Sequence, residues 1–527
     1  MKKIILLFFA LITGATFSQD FKITKSDIFK DRKKHSFLSE TIEDGNGGII
    51  TVRGYLGGFP ARRVKGYFIQ HFDKNLKLID EVEHKVDWGS IEGAFIKNNK
   101  IHLIEYIRNR FDKESNVKYN VLISDINKLS FTTKELISIS KDNINDYLDL
   151  ALIPFFYKNH KNQYDKNHLG EVIMSKNKNY FAINFDLKDK NTERNKVFVF
   201  NNDLELIYSK LISKNIKDKY FVYNNLEVDD DNGAAYFLGK SYENNSRKAK
   251  KDGKSNYHFE LTKIDKDSEN NVSFKTPDKF IGSLSIVKNN GKLSCVGFYG
   301  NRKEAVYNGV CIFNLDPTNL SMNTKVFNPF SETFMTDKYG DRAGKKKRKM
   351  KKGLGNIKFK NIERLDNGDL VINAEEDYIT VHTTSGPNGS VSTTTVHHFD
   401  DIISFRLDTA GKLKWARNIN KAQTGTLNSS FTPFSAGNKT YFFINCSDRI
   451  KKLSGDRISF RDTSAKNSNL YVISVSNNGE IDFKKLIDRK DSKVYYKVYN
   501  GLISSNKQEI IFLGKKNKNS QILKLSI

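Results

Sequence analysis

Proline, cysteine and tryptophan are scarce in this chain: its 527 residues include 7 Pro, 3 Cys and 2 Trp. So few cysteines exclude a small domain stapled by disulfides, and so little proline excludes a collagen-like repeat. A disordered chain is excluded as well, because 38 Phe and 23 Tyr can bury far more apolar surface than disordered segments contain. The composition therefore predicts a large packed fold.

Long apolar runs are also absent downstream of the first residues, where no stretch reaches the roughly 18 residues of a membrane-spanning helix. Residues 1–18 have the pattern of a secretory signal: Lys2 and Lys3 precede an apolar stretch, 4–12, and small residues follow. An N-terminal core helix is the alternative. Because no cysteine lies near the expected cleavage before Gln19, we expect a free periplasmic protein, with secretion as second choice, and not a lipoprotein.

The chain is strongly basic, with 87 Lys and Arg against 61 Asp and Glu and a formal net charge of +26. Without the two lysines of the signal, 85 basic residues remain and the charge becomes +24. A strongly basic composition usually indicates a protein that binds nucleic acid, but an exported protein is separated from nucleic acid by the membrane. We therefore expect an anionic partner other than DNA or RNA: an acidic protein, an anionic lipid surface or an acidic polysaccharide.

The three cysteines, Cys295, Cys311 and Cys446, are too few and too scattered for a cysteine-type zinc site. Cys295 and Cys311 flank a predicted hairpin at 301–306, which leaves two interpretations. They face each other across neighbouring strands and form a disulfide, or they are two buried free thiols.

A turn followed by an apolar strand recurs about every 50 to 80 residues. Asn and Gly tolerate the positive φ of tight hairpins, so they mark the entry to each strand. Eight such turns occur, at 46–48, 98–99, 177–179, 232–233, 290–291, 367–368, 437–438 and 506–507. A second strand follows each turn, several with alternating apolar and polar residues, and almost no segment has a helical period.

This spacing is typical of four-stranded propeller blades, so the sequence predicts an all-β fold, an eight-bladed β-propeller. The single propeller domain spans 19–527, with insertions near 140–168, 327–356 and 377–401. The last blade lacks its outermost strand, and 21–24 is a short alternating strand that can fill this place and remove the exposed edge. Seven blades plus a separate N-terminal piece is the alternative.

One stretch carries a family resemblance: residues 407–415, LDTAGKLKW, resemble the strand-turn-strand signature of quinoprotein-type (PQQ-like) repeats. In that signature Asp and Gly shape the turn and Trp packs between blades. Residues 470–481 keep the turn without the Trp. The resemblance implies an eight-bladed propeller. The chain has only Trp88 and Trp415 in place of the family's girdle of tryptophans, so we expect no quinone and no other cofactor. The Lys- and Asn-rich chain is also similar to uncharacterised exported propellers of Bacteroidota.

Strand order predicts which side of the propeller binds. If the strands of a blade are named a to d from the axis outward, the b–c loops and the d–a crossings leave on one side and the short turns on the other. The largest basic insertion is a d–a crossing between blades five and six. Its cations are our main candidates for partner binding: Lys345, Lys346, Lys347, Arg348, Lys349, Lys351 and Lys352. A solvated loop that keeps the protein soluble is the alternative.

Two further insertions on this side are candidates for partner binding. Phe155, Phe156 and Tyr157 end an apolar, aromatic stretch outside the predicted strands, which either docks a partner or folds over the rim to cover core. His382 lies in a segment, 378–398, whose Thr-rich flanks predict a long projecting hairpin.

Histidines and carboxylates gather at the base of that hairpin, where the chain has His397, His398, Asp400, Asp401 and the acidic triplet 375–377. Such residues could ligate a divalent metal, which makes this set a weak metal candidate. Adjacent His residues on a strand point to opposite faces, however, so we expect a solvated polar base and no metal. Linear motifs of metalloproteases, nucleophile elbows, phosphate-binding loops and dinucleotide folds are absent from the sequence. An active site assembled from several blades leaves no such motif, so an enzyme remains a second class.

We therefore expect a non-enzymatic periplasmic propeller that binds another protein through its basic face. The expected setting is an outer-membrane or secretion assembly, for example the type IX secretion translocon. The alternative is an enzyme or a lectin-like module acting on acidic polysaccharide, which predicts carboxylates and His residues grouped around the axis.

Overall fold

The structure, a computed structural model, describes residues 21–33, 35–57, 63–86, 89–108, 116–144, 171–189, 191–289, 291–386, 390–425, 429–454, 457–504 and 508–527. Strands make up 64% and helices 7%, so the prediction of a β protein is confirmed. Within these ranges, no helix combines the length and the apolar character needed to cross a membrane.

Eight antiparallel sheets in the described part of the chain each have four main strands, and we number them in chain order. Sheet 1 is β3 (Ser36–Glu43), β4 (Ile49–Gly57), β5 (Arg63–Phe72) and β6 (Leu78–Lys85). Sheet 2 is β7 (Gly89–Lys97), β8 (Lys100–Arg108), β9 (Asn116–Asp125) and β10 (Lys128–Ser140). Sheet 3 is β11 (Glu171–Met174), β12 (Tyr180–Asp186), β13 (Glu193–Asn201) and β14 (Leu206–Lys214). Sheet 4 is β15 (Phe221–Val228), β16 (Ala235–Tyr242), β19 (Tyr257–Ile264) and β20 (Glu269–Phe274). Sheet 5 is β21 (Phe280–Asn289), β22 (Lys292–Gly300), β23 (Gly309–Leu315) and β24 (Met322–Pro329). Sheet 6 is β25 (Ile357–Arg364), β26 (Leu370–Ser385), β27 (Val391–Leu407) and β28 (Leu413–Thr424).

Sheets 7 and 8 complete the series. Sheet 7 is β29 (Phe431–Ala436), β30 (Lys439–Cys446), β33 (Asn469–Val475) and β34 (Ile481–Ile487). In sheet 8, β35 (Tyr495–Tyr496) and β36 (Leu502–Ile503) pair with β37 (Glu509–Lys516), followed by β38 (Asn519–Ser526) and then β1 (Lys22–Lys25) and β2 (Phe29–Lys30).

The predicted turns account for the strand pairing. At the hairpins between first and second strands the backbone takes positive φ, between 51° and 86°, which Asn and Gly adopt most readily. The residues are Gly47, Asn98, Asn99, Lys178, Gly233, Gly291, Gly368 and Gly437. Seven of the eight predicted turns are thereby confirmed, and the eighth, at 506–507, lies outside the described residues.

The core of the described chain consists of eight hydrophobic clusters, each between two neighbouring sheets. In one of them Phe298 of sheet 5 stacks on Phe359 of sheet 6, with ring centroids 4.6 Å apart. The last cluster joins sheet 8 back to sheet 1, where Ile522 packs with Leu38 and Phe72. Each sheet is therefore covered on both faces, as the near-continuous apolar strands require.

The N-terminal strand lies where the sequence predicts it. β1 pairs antiparallel with β38, with Lys22 opposite Ser526 and Lys25 opposite Leu523. Just before it, the buried ring of Phe21 makes edge contacts with Tyr441 of sheet 7, with the ring centroids 5.0 Å apart. The prediction that this segment pairs with the last strand of the chain is confirmed.

Asp31, directly after β2, is buried and connects sheets 8 and 1 through hydrogen bonds and an ion pair. We call this group of contacts the Asp31 clasp. The Oδ2 of Asp31 accepts hydrogen bonds from Lys515 Nζ (2.9 Å) and Ser520 Oγ (2.6 Å) of sheet 8. Its Oδ1 forms an ion pair with Arg53 of sheet 1. Burial opposes ionisation, but the charges of Arg53 and Lys515 and the serine hydroxyls outweigh it, so the pKa of Asp31 falls to about 2.

The cysteines are buried free thiols. Cys295 lies opposite Phe313 and Cys311 opposite Gly297, so the two thiols sit at different positions of the β22–β23 ladder. Of the two interpretations left open by the sequence, free thiols are confirmed. Burial raises the pKa of Cys311 to about 12 and raises that of Cys295 as well.

The insertions in the described part of the chain occur at equivalent positions in the order of strands. Each lies either between the second and third strands of a sheet or between two sheets. They are the ribbon of β17 (Lys250–Lys251) and β18 (Lys254–Ser255), the helices α1 (Glu332–Tyr339) and α2 (Asp341–Lys349), the ribbon of β31 (Lys451–Lys452) and β32 (Ile458–Arg461), and the hairpin that extends β26 and β27. Antiparallel strand order places all of them on one side, which we call the insertion side. Helices α1 and α2 form the crossing between sheets 5 and 6, so the alternative of a solvated loop is corrected for the helical part of the basic run.

Candidate basic binding face

A tight pair of helices carries the basic run. Ser331 caps α1, because its Oγ accepts a hydrogen bond from the backbone N–H of Phe334 (3.1 Å). Gly340, at φ +84°, separates α1 from α2 in a conformation that L-residues rarely adopt. Gly344 faces α1, where a Cβ would come within 2.5 Å of the Met335 carbonyl oxygen. The glycines therefore let the two helices turn sharply and lie in contact.

Helix α1 is fixed to sheet 6 by partly buried charge pairs. Lys338 Nζ donates to Glu376 (2.6 Å) and to Asp401 (2.8 Å), and Arg417 Nε donates to Asp337 (2.7 Å). Burial opposes the charge on Lys338, but the two carboxylates outweigh it and raise the lysine's pKa. The helix pair therefore has a rigid base.

These contacts also explain the acidic groups at the hairpin base. Glu376 and Asp401 share an ion pair with Lys338, and Asp377 forms one with Lys358 over 3.0 Å. Asp400 accepts a hydrogen bond from the Tyr378 hydroxyl at 2.8 Å. Lysines and a tyrosine thus pair with the carboxylates that the sequence analysis named as a weak metal candidate.

The predicted cations lie together on α2 and the turn after it, and we call residues 345–352 the basic segment. Its exposed cations are Lys345, Lys346, Arg348, Lys349, Lys351 and Lys352. Lys347 is half-buried, with Nζ 3.6 Å from the ring centroid of Tyr339. Cations near a helix C-terminus are favoured by the helix dipole, so the charges also stabilise α2.

Neighbouring insertions extend this positive surface. The loop of sheet 5 with exposed Arg302 and Lys303 meets the basic segment where Asn308 Nδ2 donates to the Lys351 carbonyl (3.0 Å). On the other side Arg457 donates to the last carbonyls of α1, and its insertion carries the exposed strand β31, Lys451–Lys452. Two further insertions that carry exposed cations therefore flank the helix pair on either side.

Of the other predicted binding residues, only His382 lies among the described residues. Phe155, Phe156 and Tyr157 lie outside the described residues. His382 is exposed on the predicted long hairpin, which is present, and contacts Thr380 Oγ1 at 3.3 Å. It is six residues beyond Glu376 at the hairpin base, roughly 20 Å along an extended strand. His382 thus lies far along the hairpin, on a different element from the basic segment.

A second group of charged residues was missed by sequence reasoning. One carboxylate oxygen each of Asp186, Glu193 and Asp218 lie within 4.8 Å of one another. Asp186 ends β12, Glu193 begins β13, and Asp218 lies in the crossing to sheet 4. No linear spacing indicates this group, because strand register and the crossing bring its members together.

No family model and no curated protein matches the chain. Among solved structures it is similar to the polysaccharide lyase Uly1, with 10% identity and a TM-score of 0.37 over 82% of this chain and 89% of that one. It is also similar to the β-propeller domain of the Trilobed protease from Pyrococcus furiosus, with 9% identity and a TM-score of 0.36 over 87% and 98% of the two chains. It is similar as well to prolyl oligopeptidase B from Galerina marginata, with 7% identity and a TM-score of 0.37 over 92% of this chain but only 56% of that one. Likenesses of this strength carry no argument about activity, substrate or partner.

Proposed function

We propose that this chain is an exported eight-bladed β-propeller that docks an acidic partner protein through the basic segment. Eight four-stranded sheets, with a hydrophobic cluster between each consecutive pair, support the blade count. The pairing of β1 with β38 supports closure by the N-terminal strand. The signal pattern of residues 1–18 supports export to the periplasm.

The observation that carries the docking proposal is the rigid presentation of exposed cations. A single exposed ion pair contributes only about 0.2–1 kcal/mol, so useful affinity needs several pairs formed at once. The basic segment offers six exposed cations on a helix pair that Lys338 and Arg417 fix to sheet 6. A helix whose backbone is already fixed loses less conformational entropy on binding than a free loop. A partner with a dense patch of carboxylates fits this surface.

The proposed periplasmic location restricts the classes of partner further. Nucleic acid is not the partner of a periplasmic protein, whereas acidic protein surfaces and acidic glycans are present there. We propose an outer-membrane or secretion assembly as the setting, of which a type IX translocon is one concrete form, and a scaffold or plug as the role. The chain would then act without catalysis.

Affinity capture from detergent-solubilised cell envelopes tests this proposal. The purified chain is compared with a variant in which Lys345, Lys346, Arg348 and Lys349 are replaced by Gln, which preserves helix propensity. The matched control replaces four exposed lysines in turns on the opposite side: Lys74, Lys77, Lys266 and Lys412.

We expect a membrane-associated protein to be captured at low salt, about tenfold less of it with the α2 variant, and an unchanged amount with the control. High salt should abolish capture, because screening shortens the range of the exposed charges to a few ångström. Equal capture by both variants would contradict the proposal. Binding to polygalacturonate that depends on the same four residues, with no protein captured, would favour the polysaccharide alternative instead.

A further inference from the structure

Three acidic side chains converge where sheet 3 meets the crossing to sheet 4. Asp186 and Asn195 are directly opposite each other on β12 and β13, so their side chains share one face of the sheet. Glu193, two residues before Asn195, lies on that face and is 4% exposed. Its backbone N–H donates to the carbonyl of Ile216 (2.8 Å), which holds the crossing, and with it Asp218, against the end of β13.

A buried oxygen next to this group points to a missing ligand. Asn195 is 1% exposed, and its Nδ2 donates to Glu193 Oε1 over 2.6 Å, so its amide head lies at the carboxylates. Its Oδ1 is a buried acceptor without a hydrogen-bond partner in the described part of the chain. A buried acceptor normally has a partner, because leaving it unpaired costs about 1–3 kcal/mol.

Other buried carboxylates of this chain are neutralised by a basic side chain. Glu375 lies 2.6 Å from Lys421 Nζ, and Asp369 lies 2.8 Å from Arg406 Nε. Glu193, by contrast, has two carboxyl groups as its neighbours, those of Asp186 and Asp218. Three carboxyl groups therefore converge at one place, where a bound cation would balance their charge.

We infer that Asp186, Glu193, Asp218 and the side-chain carbonyl of Asn195 form a binding site for a divalent cation of the calcium type. The donors are all oxygens and three are carboxylates, the set that a hard cation with several oxygen ligands prefers. Asp186 and Asp218 are partly exposed, so the cation reaches the site from the insertion side. The site lies between sheets 3 and 4 and is independent of the proposed docking function.

Titration calorimetry and thermal unfolding of the full chain test the site. After treatment with EDTA and desalting, the protein is titrated with CaCl2, and its Tm is measured with and without CaCl2. We expect one calcium ion per chain and a rise in Tm of several degrees, because a ligand that binds the folded state stabilises it. Glu193→Gln and Asp186→Asn should each weaken calcium binding at least about tenfold.

Glu193→Gln also separates loss of binding from loss of folding. Since it removes one of three crowded carboxyl groups, its Tm in EDTA should equal or exceed that of the original chain, while the response to calcium disappears. Asp267→Asn, an exposed residue in a turn on the opposite side, is the matched control and should bind like the original chain. Absence of binding to CaCl2, MgCl2 and MnCl2, or equal calcium affinity of Glu193→Gln and the original chain, would overturn the inference.

Discussion

Trp415, near the start of β28 in sheet 6, donates a hydrogen bond of 3.0 Å from its indole Nε1 to the backbone carbonyl of Asn477 in sheet 7. The same indole lies against Gly479, whose Cβ, if present, would be 3.0 Å from Trp415 Cγ. The outer strand of one sheet is thus docked on the outer turn of the next. This packing of Trp415 between two sheets is the contact that the resemblance to quinoprotein-type repeats implies for it.

The first prediction concerns that contact. Gly479 has φ +84°, so Gly479→Ala should lose about 1 kcal/mol through backbone strain and about 1 kcal/mol more by pushing on the indole. Gly45→Ala is the matched control, because Gly45 has φ +80° and nothing within 4 Å of its Cβ position. Urea unfolding measures both. Equal losses for the two variants would mean that the Trp415 contact contributes nothing beyond turn geometry.

The second prediction concerns the clasp at Asp31. Its pKa, about 2, is below the usual 3.8, so the ionised carboxylate stabilises the fold above about pH 4, and this stability is lost as pH falls toward 2. Asp31→Asn should therefore lower the free energy of unfolding by about 2–3 kcal/mol at pH 7, and the deficit should shrink between pH 4 and pH 2. Urea unfolding at pH 7 and pH 2.5 measures it, and a deficit that is equal at both would count against the clasp.

The third prediction concerns the base of the helix pair. Lys338→Met leaves Glu376 and Asp401 buried without their shared cation, which costs about 3–5 kcal/mol and should release α1 and α2 locally. Limited trypsin digestion should then cut the basic segment at least about tenfold faster. Lys345→Met, at an exposed position, is the control and should leave the remaining cleavage rates unchanged. Identical digestion of both variants would show that Lys338 does not hold the helices.

The fourth prediction concerns the cysteines. Burial raises the pKa of all three thiols, so little reactive thiolate forms near neutral pH and reagent cannot reach the sulfur. The folded protein should not react with Ellman's reagent at pH 8, and three equivalents should react in concentrated guanidinium chloride. A thiol that reacts within seconds in the folded protein would contradict the burial described here.

Much of the fold was predictable because its signals are local. The positive φ of Gly233, Gly291 and Gly368 is a property of the residue itself, so the turns could be located without knowing what they pack against. The strand at 21–24 was predictable from its alternation and from the need to cover an edge. Helix α2 was not, because its one buried residue is Gly344 and its cations show no apolar period.

The sequence by itself determined where the strands turn, that the thiols are few and scattered, and that positive charge is concentrated in the insertions. Only the tertiary structure decided that residues 345–352 lie on α2 and the turn after it, packed against the helix α1 that Lys338 fixes, and that Asp186, Glu193 and Asp218 meet. The physical reason is one of range. Turn geometry depends on a few neighbouring residues, whereas the ionic environment of a side chain depends on strand register and on crossings that join residues far apart in the chain.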